Sequence, residues 1–372
     1  MNDQSPKIVL IAKNPSQYHG CLYRELNKVY RKTEVWYLKD NPILIRFGQS
    51  ESSTDMFGKM LDGHFYRFIL QKKFKALRII LDLISTKPDF VIFTGYDSLL
   101  FFILPLMKII GIKLIWRGEI YHHITGKKRI LLKPFLNLYD AHILSTKRAV
   151  NIMADIVECH KLKYVPSCVD SEYLCDYYGS NINNRTKIRS RIGLNCDDIV
   201  INITARFSHE KNIEEIIKII HEMKSVSIKL LLVGSGEYQE KLVSLVDNLN
   251  LTERVIFTGF QTGNDLYDCY IASDYAMNMS HWDYSPKSIN ESLHFGLIPI
   301  FSKKIGTYQE LTALEIPYVE VYSENTIKDN ASLMDKSIKV VGNQTKNDIS
   351  SKSKKFTPRN FSRCIVELVG DL

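Results

Sequence analysis

Residues 198–237, DIVINITARFSHEKNIEEIIKIIHEMKSVSIKLLLVGSGE, decide the fold class of this chain. The segment contains two short apolar runs, at 199–204 and 228–233, of the kind that form buried parallel strands. Between them, isoleucines recur with the spacing of one helix face. A strand, a helix and a second strand in this order predict a βαβ unit, in which the helix crosses over and the two strands lie parallel.

The same alternation extends along most of the 372 residues. The C-terminal half continues with the strand candidates RVIFTGF, SDYAMNMS and LIPIFSK, and the N-terminal half has KIVLIA, TEVWYL, DFVIFTG, KLIWRG, AHILST and LKYVPS. This predicts two α/β domains, joined where polar turn residues accumulate in residues 169–187. We place the domains at 1–172 and 173–355, with a C-terminal helix at 356–372 that packs back on the first domain. The polar stretch 342–355 is expected to be a loose connector.

Positive charge is concentrated in the N-terminal half. Residues 1–170 contain 26 Lys plus Arg against 15 Asp plus Glu, a balance of +11, whereas residues 171–372 contain 23 against 26, a balance of −3. A basic half of this kind can meet an anionic membrane surface or a phosphorylated substrate. No zinc-finger, RRM or basic-zipper pattern occurs, so nucleic acid is not an expected partner. A solvated basic face is the alternative interpretation.

The cysteines and the apolar segments indicate a cytoplasmic protein. Seven cysteines are scattered without CxxC spacing, which favours reduced thiols over a disulfide framework or a structural zinc site. The N-terminus, MNDQSPKIVLIAKN, has a short apolar run and does not resemble a signal peptide. Residues 98–116 are strongly apolar but are interrupted by Pro105, Lys108, Gly111 and Lys113, which predicts a buried helix followed by a strand instead of a membrane span.

Polar groups and glycines follow several predicted strands, where ligands bind in doubly wound sheets. Gly20 comes before a predicted helix, where backbone amides could approach an anion. His122 and His123 are titratable groups at a strand end, with solvated surface histidines as the alternative. Arg206 and Lys211, on a strand-to-helix connection, form a suitable clamp for a diphosphate. Further along the chain come GSGE at 234–237 and the stretch HWDYSPKSINESLHFGLIPIF at 281–301.

Four blocks in the C-terminal half together resemble the retaining GT-B glycosyltransferases of the group 1 (GT4-type) family. They are Ala205-Arg206-Phe207 leading to Lys211, LLLVGSGE with Gly234 and Gly236, VIFTGF with Gly259, and DYSPKSINESLHFGLIPI, in which Asp283 and Glu291 have the Glu-x7-Glu spacing. KYVPSCVDSEYL resembles the interdomain segment of that family, and IWRGE resembles an acceptor-side strand end.

The resemblance implies a GT-B fold, with two Rossmann-like doubly wound domains facing a central cleft. It implies that the donor is a nucleotide-diphosphate sugar, either a UDP- or a GDP-sugar, that the anomeric configuration is retained, and that no metal is required. Arg206 and Lys211 would hold the diphosphate, Glu291 the ribose hydroxyls and Asp283 the hydroxyls of the donor sugar. The remaining implied donor-site residues are Gly20, Gly234, Gly236, Gly259, Ser285, Lys287 and Ser288. His122 or His123 would stand on the acceptor side.

Three departures from the family pattern bear on activity. Asp283 stands where the family usually has Glu, Ala205 stands where it usually has Gly, and its N-terminal Gly-Gly loop is reduced to His19-Gly20. A helix-capping role for Asp283 is the structural alternative. The alternatives for the whole protein are a catalytically inactive GT-B scaffold or partner protein, or an epimerase or phosphorylase on the same fold.

The resemblance and one basic segment also bear on the acceptor and the location of the protein. The resemblance implies a glycan or lipid-linked glycan acceptor in bacterial surface polysaccharide biosynthesis, such as capsule, O-antigen or lipopolysaccharide core. Residues 64–80, HFYRFILQKKFKALRII, place five cations among apolar residues, a pattern that can lie on the anionic inner face of the plasma membrane. The alternative is a helix with its apolar face in the core and its cations in water. The five cations are Arg67, Lys72, Lys73, Lys75 and Arg78.

Overall fold

The computed structural model describes residues 5–40, 61–70, 75–95, 103–341 and 346–372. The chain divides into two compact units. The N-terminal unit combines Met1–Cys168 with Thr357–Leu372, and the C-terminal unit is Val169–Phe356. The chain therefore passes between the units twice, at 168/169 and at 356/357.

The described part of the N-terminal unit contains seven strands, all paired in parallel, in the order β3-β2-β1-β4-β5-β6-β7. The strands are β1 Ile8–Ala12, β2 Thr33–Tyr37, β3 Phe65–Phe68, β4 Phe90–Thr94, β5 Lys113–Gly118, β6 Ala141–Leu144 and β7 Leu162–Tyr164. The helices among them are α1 Gln17–Val29, α2 Lys75–Thr86, α3 Leu104–Ile109, α4 Gly126–Asn137 and α5 Lys147–Met153.

The described part of the C-terminal unit contains six strands, also paired in parallel, in the order β10-β9-β8-β11-β12-β13. The strands are β8 Ile199–Thr204, β9 Ile228–Val233, β10 Val255–Gly259, β11 Tyr275–Asn278, β12 Ile298–Phe301 and β13 Val319–Glu320. The helices are α6 Ser171–Asn181, α7 Arg185–Ile192, α8 Ile213–Glu222, α9 Gln239–Asn248, α10 Gly263–Ala272, α11 Lys287–His294, α12 Tyr308–Thr312, α13 Ile327–Val341 and α14 Lys346–Lys352. The prediction of two Rossmann-like parallel-sheet domains is confirmed.

The N-terminal sheet has a separate core on each face. Because successive side chains of a strand point to opposite faces, Val9 and Ile11 join a core covered by α2 to α5, whereas Ile8 and Leu10 join a core on the other side. That second core is covered by α1 and by the last helix of the chain, α15 Pro358–Asp371.

The last helix is anchored at its start and along one face. Thr357 caps α15 by accepting a hydrogen bond from the amide of Asn360 at 3.3 Å. Phe361, Ile365 and Leu368 are buried in the core that α1 shares. The end of the chain is thus part of the N-terminal unit.

Two segments differ from the structure that their sequences predict. Residues 64–80 do not form one helix, because β3 occupies Phe65–Phe68 and α2 begins at Lys75. Short apolar runs do not distinguish a strand from a buried helix. Residues 71–74, with Lys72 and Lys73, lie outside the described residues.

The connector predicted at 342–355 is largely helical where it is described. It contains α14 and a 3-10 turn at Ser353–Phe356. Ser353 is buried, with its hydroxyl 2.9 Å from His294 Nδ1. The helix and strand predicted within 98–116 are present as α3 and β5, with 98–102 outside the described residues.

Candidate functional site

The candidate site lies at the carboxyl ends of β8 and β11. These neighbouring strands mark the point where the strand order of the C-terminal sheet reverses. Ligands of open parallel sheets bind beyond the carboxyl ends of strands at such a switch point. The loops that follow β8, β9, β11 and β12 supply the residues described below.

The loop after β8 is joined to the loop after β9 by backbone hydrogen bonds. The amide of Ala205 donates to Val233 O at 3.1 Å and the amide of Phe207 donates to Ser235 O at 2.9 Å. Phe207 O in turn accepts from the amide of Tyr238 at 3.0 Å. These bonds extend the pairing of β8 with β9 past the strand ends and fix the course of the intervening Arg206 backbone.

Gly234 and Gly236 make this close approach possible. A Cβ at Gly234 would lie 1.9 Å from Ala205 O, and a Cβ at Gly236 would lie 2.3 Å from Phe207 O. Gly234 also has a φ of +150°, a conformation that favours glycine. The sequence suggested that these glycines give a ligand access to the backbone. The structure supplies a packing reason, since the atoms that a side chain would strike belong to the neighbouring loop.

Arg206 projects from this pair of loops. Its guanidinium donates to Glu237 Oε2 at 2.9 Å, and both side chains are about half exposed, at 49% and 52%. Backbone hydrogen bonding and Arg206 lower the pKa of the Glu237 carboxyl. An ion pair this exposed contributes little to stability, so an incoming diphosphate can compete for Arg206.

Lys211 and Asp283 form the central ion pair of the site. Lys211 Nζ donates to Asp283 Oδ2 at 2.6 Å, and the two side chains are 22% and 15% exposed. Asn278, the last residue of β11, also donates to Asp283 Oδ2, at 3.4 Å. Lys211 ends a 3-10 turn, and Asn212 then adopts a φ of +54° that turns the chain into α8. The sequence predicted that Lys211 binds the diphosphate. In the structure Lys211 instead contacts Asp283, which is itself a predicted site residue.

The loop after β12 holds the Asp283 backbone. The amide of Gly306 donates to Asp283 O at 2.7 Å, and Ile305 forms an isolated parallel bridge with Asp283. A Cβ at Gly306 would lie 2.0 Å from Tyr284 O, so this position requires glycine. Sequence reasoning missed Gly306, although a glycine shortly after a predicted strand was an available signal.

The start of α11 presents backbone amides at the same edge. Pro286 precedes the first helical residue, Lys287, and no side chain caps this terminus. Ser285 is buried, whereas Lys287 and Ser288 are half-buried, and Lys287 Nζ lies 3.5 Å from Ser285 Oγ. The Asp283 carboxylate accepts from Lys211 instead of capping the helix. The free amides of a first turn carry partial positive charge, which suits an anion.

Glu291 lies one turn into α11 and is buried, with 8% of its surface exposed. Its Oε2 accepts a hydrogen bond from the Tyr270 hydroxyl at 2.8 Å. Burial raises the pKa of the Glu291 carboxyl to about 7, although Tyr270 and Lys287 act in the opposite direction. Tyr270 is fully buried with its ring centroid 5.3 Å from that of Phe295. Sequence reasoning missed Tyr270 because it is carried by α10, far from Glu291 in the chain.

Gly259 and Gly20 occupy different settings from each other. Gly259 ends β10 with a φ of +70°, and its carbonyl accepts from the Gly234 amide at 2.9 Å, which joins the ends of β9 and β10. The sequence predicted that Gly20 comes before a helix. In the structure Gly20 lies within the first turn of α1. Its amide bonds to Ser16 O at 3.3 Å, so that amide serves the helix itself.

The two candidate acceptor-side histidines are exposed. His123 Nδ1 lies 3.0 Å from Asp155 Oδ2, and the His122 ring packs edge-on against Tyr121 with centroids 4.9 Å apart. Three polar residues that follow β5, β6 and β7 form a cluster that was not predicted from the sequence. There Glu119 Oε1 accepts from the hydroxyls of Ser145 at 3.5 Å and Ser167 at 3.3 Å.

A cavity of about 340 Å³ lies beside the Lys211–Asp283 pair, at the start of α8. None of Arg206, Lys211, Asp283 and Glu291 lines it, so it is not the predicted donor site. It is lined by Ser208, His209, Asn212, Ile213, Glu214, Glu215, Lys218, Tyr238, Leu242, His281 and Ile327.

Residues 184–355 match the family model described as glycosyl transferases group 1. An uncharacterized glycosyltransferase of Methanocaldococcus jannaschii is 25% identical over 142 residues, which are 38% of this chain and 36% of that protein. The alpha-monoglucosyldiacylglycerol synthase of Streptococcus pneumoniae is 23% identical over 172 residues, 45% of this chain and 38% of that protein. The matches thus span little more than a third of these relatives' own lengths.

The fold is also found in solved structures. The Anabaena protein HepE, crystallised in complex with UDP and glucose, superposes with a TM-score of 0.73 at 15% sequence identity, over 99% of this chain and 100% of that one. At this identity the likeness shows the fold alone, and it confirms the GT-B fold class. The family match confirms the group 1 resemblance for the C-terminal half.

Proposed function

We propose that the protein is a retaining glycosyltransferase that moves a sugar from a nucleotide-diphosphate sugar to a glycan or lipid-linked glycan acceptor. One observation carries this proposal. Lys211 and Asp283 form an ion pair at the switch point of the unit in which residues 184–355 match the group 1 family model, and Arg206 on the loop of Lys211 and Glu291 on the helix after Asp283 belong to the same unit. Each of these groups suits one part of a nucleotide-diphosphate sugar.

The cations and amides suit the leaving group. Breaking the bond between the anomeric carbon and the diphosphate oxygen leaves negative charge on the diphosphate and positive charge on the sugar. Arg206, Lys211 and the amides of Ser285 to Ser288 would meet the negative charge without a metal ion. An ammonium has three hydrogens, so Lys211 can keep Asp283 and still donate to a phosphate oxygen.

The carboxylates suit the hydroxyl-rich parts of the donor. Asp283 would accept hydrogen bonds from hydroxyls of the transferred sugar, beside the diphosphate held by Lys211. Glu291, held at Oε2 by Tyr270, would accept from the ribose hydroxyls through its other oxygen. Both acids position the substrate in this proposal, and neither acts as a general acid or base.

The comparisons suggest which donor and acceptor to test first. HepE was crystallised with UDP and glucose, and the pneumococcal relative is named for a product that joins glucose to diacylglycerol. For this chain we propose a UDP- or GDP-sugar donor and an acceptor in the assembly of a bacterial surface polysaccharide such as capsule or lipopolysaccharide. His122 or His123 remains the proposed acceptor-side residue.

A catalytically inactive GT-B protein is the second candidate. It is favoured by the fact that both proposed diphosphate ligands already contact acids, Arg206 with Glu237 and Lys211 with Asp283. The two candidates differ in whether the protein turns over a donor, since many transferases slowly hydrolyse their true donor in the absence of an acceptor.

The test combines a donor panel with substitutions of the two cations. Calorimetry with UDP, GDP and their sugars identifies the donor, and hydrolysis of that donor is then measured. Arg206→Ala and Lys211→Ala should each lower kcat/KM by about 100-fold or more, the scale of one lost preorganised contact to developing charge.

The matched control is Arg363→Ala, which also removes half of an exposed ion pair, with Glu367 on α15. It should leave kcat/KM unchanged. If a double variant of Arg206 and Lys211 kept near-normal turnover, the donor site would not be the one proposed here. A protein that binds no nucleotide sugar and hydrolyses none would favour the inactive scaffold.

A further inference from the structure

The cavity beside the Lys211–Asp283 pair belongs wholly to the C-terminal unit. It is lined by the loops after β8 and β11, by the first two turns of α8 and by the starts of α9 and α13. Its volume of about 340 Å³ lies near the lower end of the range of small-molecule sites, which suits a ligand of about one sugar ring. The proposed donor contacts do not line it, so its occupant would be a separate ligand.

Three rings and three aliphatic side chains form the apolar part of the lining. The ring centroids of His209 and His281 are 5.2 Å apart with their planes inclined at 40°, and the Tyr238 ring centroid lies 6.3 Å from that of His209. Rigid rings give apolar contact area at a low cost in conformational entropy, which suits the C–H face of a sugar ring. The aliphatic side chains are Ile213, Leu242 and Ile327.

The polar part of the lining contains both donors and acceptors of hydrogen bonds. Glu215 Oε2 accepts from Asn212 Nδ2 at 2.5 Å, and a carboxylate has further acceptor positions for a ligand hydroxyl. Lys218 is exposed, and its ammonium group can donate to a ligand oxygen. Because a hydroxyl both donates and accepts, a ligand that carries several hydroxyls can use all of these partners.

The charges at the cavity balance, which disfavours an ionic ligand. Glu214 is paired with Lys241, whose Nζ lies 2.8 Å from Glu214 Oε1 and 4.9 Å from the centroid of the Tyr238 ring. Glu215 and Lys218 supply one further charge of each sign. A phosphate would therefore face two carboxylates, and an organic cation would face two ammonium groups.

A metal ion is also a poorer occupant, although the rings of His209 and His281 are neighbours. Within the ranges that the structure describes, no group of three or more His, Cys, Asp or Glu side chains is arranged to hold a metal ion. Burial and the nearby Lys304 lower the pKa of His281, so its imidazole is neutral at pH 7.5. The positive charge of Lys304 also opposes a cation beside this ring.

We propose that this cavity binds one neutral sugar residue, either free or as part of a glycan, at a site separate from the donor site. The rings and aliphatic groups would pack on the C–H face of the sugar, and Glu215 and Lys218 would meet its hydroxyls. The amide of His281 donates to Glu210 O at 2.8 Å, so the loop that carries Lys211 is joined to the cavity lining. Sugar binding at this cavity does not depend on the proposed transferase activity.

The experiment is saturation-transfer difference NMR on the full chain at pH 7.5, without nucleotide. The methyl glycosides of glucose, galactose, mannose and N-acetylglucosamine represent a single sugar residue, and maltotriose and chitotriose represent a glycan. At least one of these probes should give a saturable signal. Tighter binding of a trisaccharide than of its methyl glycoside would assign the site to a glycan, and equal binding would assign it to a single sugar.

Two substitutions test whether the sugar occupies this cavity. Ile327→Trp fills the cavity and should abolish the signal. Glu215→Ala removes an acceptor and should weaken binding about 10-fold, the scale of one hydrogen bond to a charged group. The matched controls are Lys328→Trp and Glu222→Ala, since these exposed residues lie on the same two helices and do not line the cavity. Both controls should bind like the wild type. Melting temperatures are compared, and Glu215→Ala decides if Ile327→Trp unfolds.

Three results would overturn the proposal. One is no saturable signal from any probe, and another is an equal loss of binding in the two controls. The third is a signal that survives both cavity substitutions and is lost in Asp283→Asn, which would assign the sugar to the donor site. Because the assay contains no nucleotide, its failure leaves the proposed transferase activity standing, and a failure of that activity leaves the sugar signal standing.

Discussion

Asp283 and Lys211 hold each other within the candidate donor site, and this changes what a substitution of Asp283 should do. From the sequence, Asp283 was expected to hold the hydroxyls of the donor sugar. In the structure its carboxylate accepts from Lys211, the proposed phosphate ligand, at 2.6 Å. Removal of the negative charge of Asp283 should therefore leave Lys211 more available to the diphosphate. The same change should weaken the proposed hydrogen bonds between residue 283 and the donor sugar.

We expect Asp283→Asn to bind the free nucleoside diphosphate about 2- to 5-fold more tightly, the scale of a partly exposed ion pair. Turnover of the sugar donor should fall about 10-fold or more, because charge-assisted hydrogen bonds to the sugar are lost. Calorimetry with both ligands and a turnover assay measure the two effects. Asp197→Asn, an exposed position in the same unit, is the control. Equal losses of affinity for the diphosphate and the donor would contradict the proposed sugar contact.

The raised pKa of Glu291 predicts a pH dependence of both stability and donor binding. Burial favours the protonated acid, with a pKa of about 7 in the folded protein against an ordinary value of 4.5. Relative to pH 4, the folded state therefore loses stability as the pH rises from about 4.5 to about 7, by on the order of 3 kcal/mol, and the loss is complete above pH 7. Donor binding should change in the opposite sense, because in the proposed donor site the ribose hydroxyls would donate hydrogen bonds to the ionised Glu291 carboxylate.

Glu291→Gln separates these effects. The variant should be more stable than the wild type at pH 8, with a smaller difference at pH 5, in urea unfolding. Its affinity for the sugar donor should be about 10-fold lower at pH 8 and should no longer rise between pH 6 and pH 8. The sugar donor is the suitable ligand because its phosphates keep the same charge over this range. If the pH dependence of donor binding persisted in Glu291→Gln, it would arise from a titrating group other than Glu291.

At the scale of elements, local pattern predicted the helices and strands that are long or strongly periodic. The βαβ unit β8–α8–β9 matches the segment 198–237, since its strands are continuous apolar runs and its helix buries Ile213, Ile216 and Ile220 on one face. The common edge of the strand ends also follows from pattern, because parallel strands joined by helices bring their carboxyl ends to one edge of a sheet. The candidate cations and acids could therefore be assigned to one site before any geometry was known.

The contacts between those loops could not be predicted. Lys211 and Asp283 are 72 residues apart, and Gly306 reaches Asp283 only because β11 and β12 pair in register. The strand in 64–80 and the helix in 342–355 were missed for different reasons. The first is apolar enough to suit either structure, and the second is polar yet places Ser353 against the buried His294.

At the scale of the whole molecule, the two units have different charges and different tasks in the proposal. The N-terminal half has a charge balance of +11, and the slightly acidic C-terminal half, with a balance of −3, carries the candidate donor site. The last helix belongs to the N-terminal unit although it follows the C-terminal unit in the chain. The stability of the two units should therefore respond separately to changes in α15.

Ile365→Ala tests this separation. Ile365 is fully buried in the core that α15 shares with α1, so its truncation should lower the free energy of unfolding of the N-terminal unit by about 2–5 kcal/mol. Trp36 and Trp116 are buried in that unit, and Trp282 is the third tryptophan of the chain, so fluorescence in a Trp282→Phe background follows the N-terminal unit alone. The urea midpoint of this signal should fall, whereas the affinity of the C-terminal unit for the nucleotide should change less than about twofold.

Glu367→Ala, an exposed position on the same helix, should alter neither quantity, since surface ion pairs such as its contact with Arg363 contribute little. An unchanged midpoint in Ile365→Ala, or a proportional loss of nucleotide binding, would show that α15 does not serve the N-terminal unit alone.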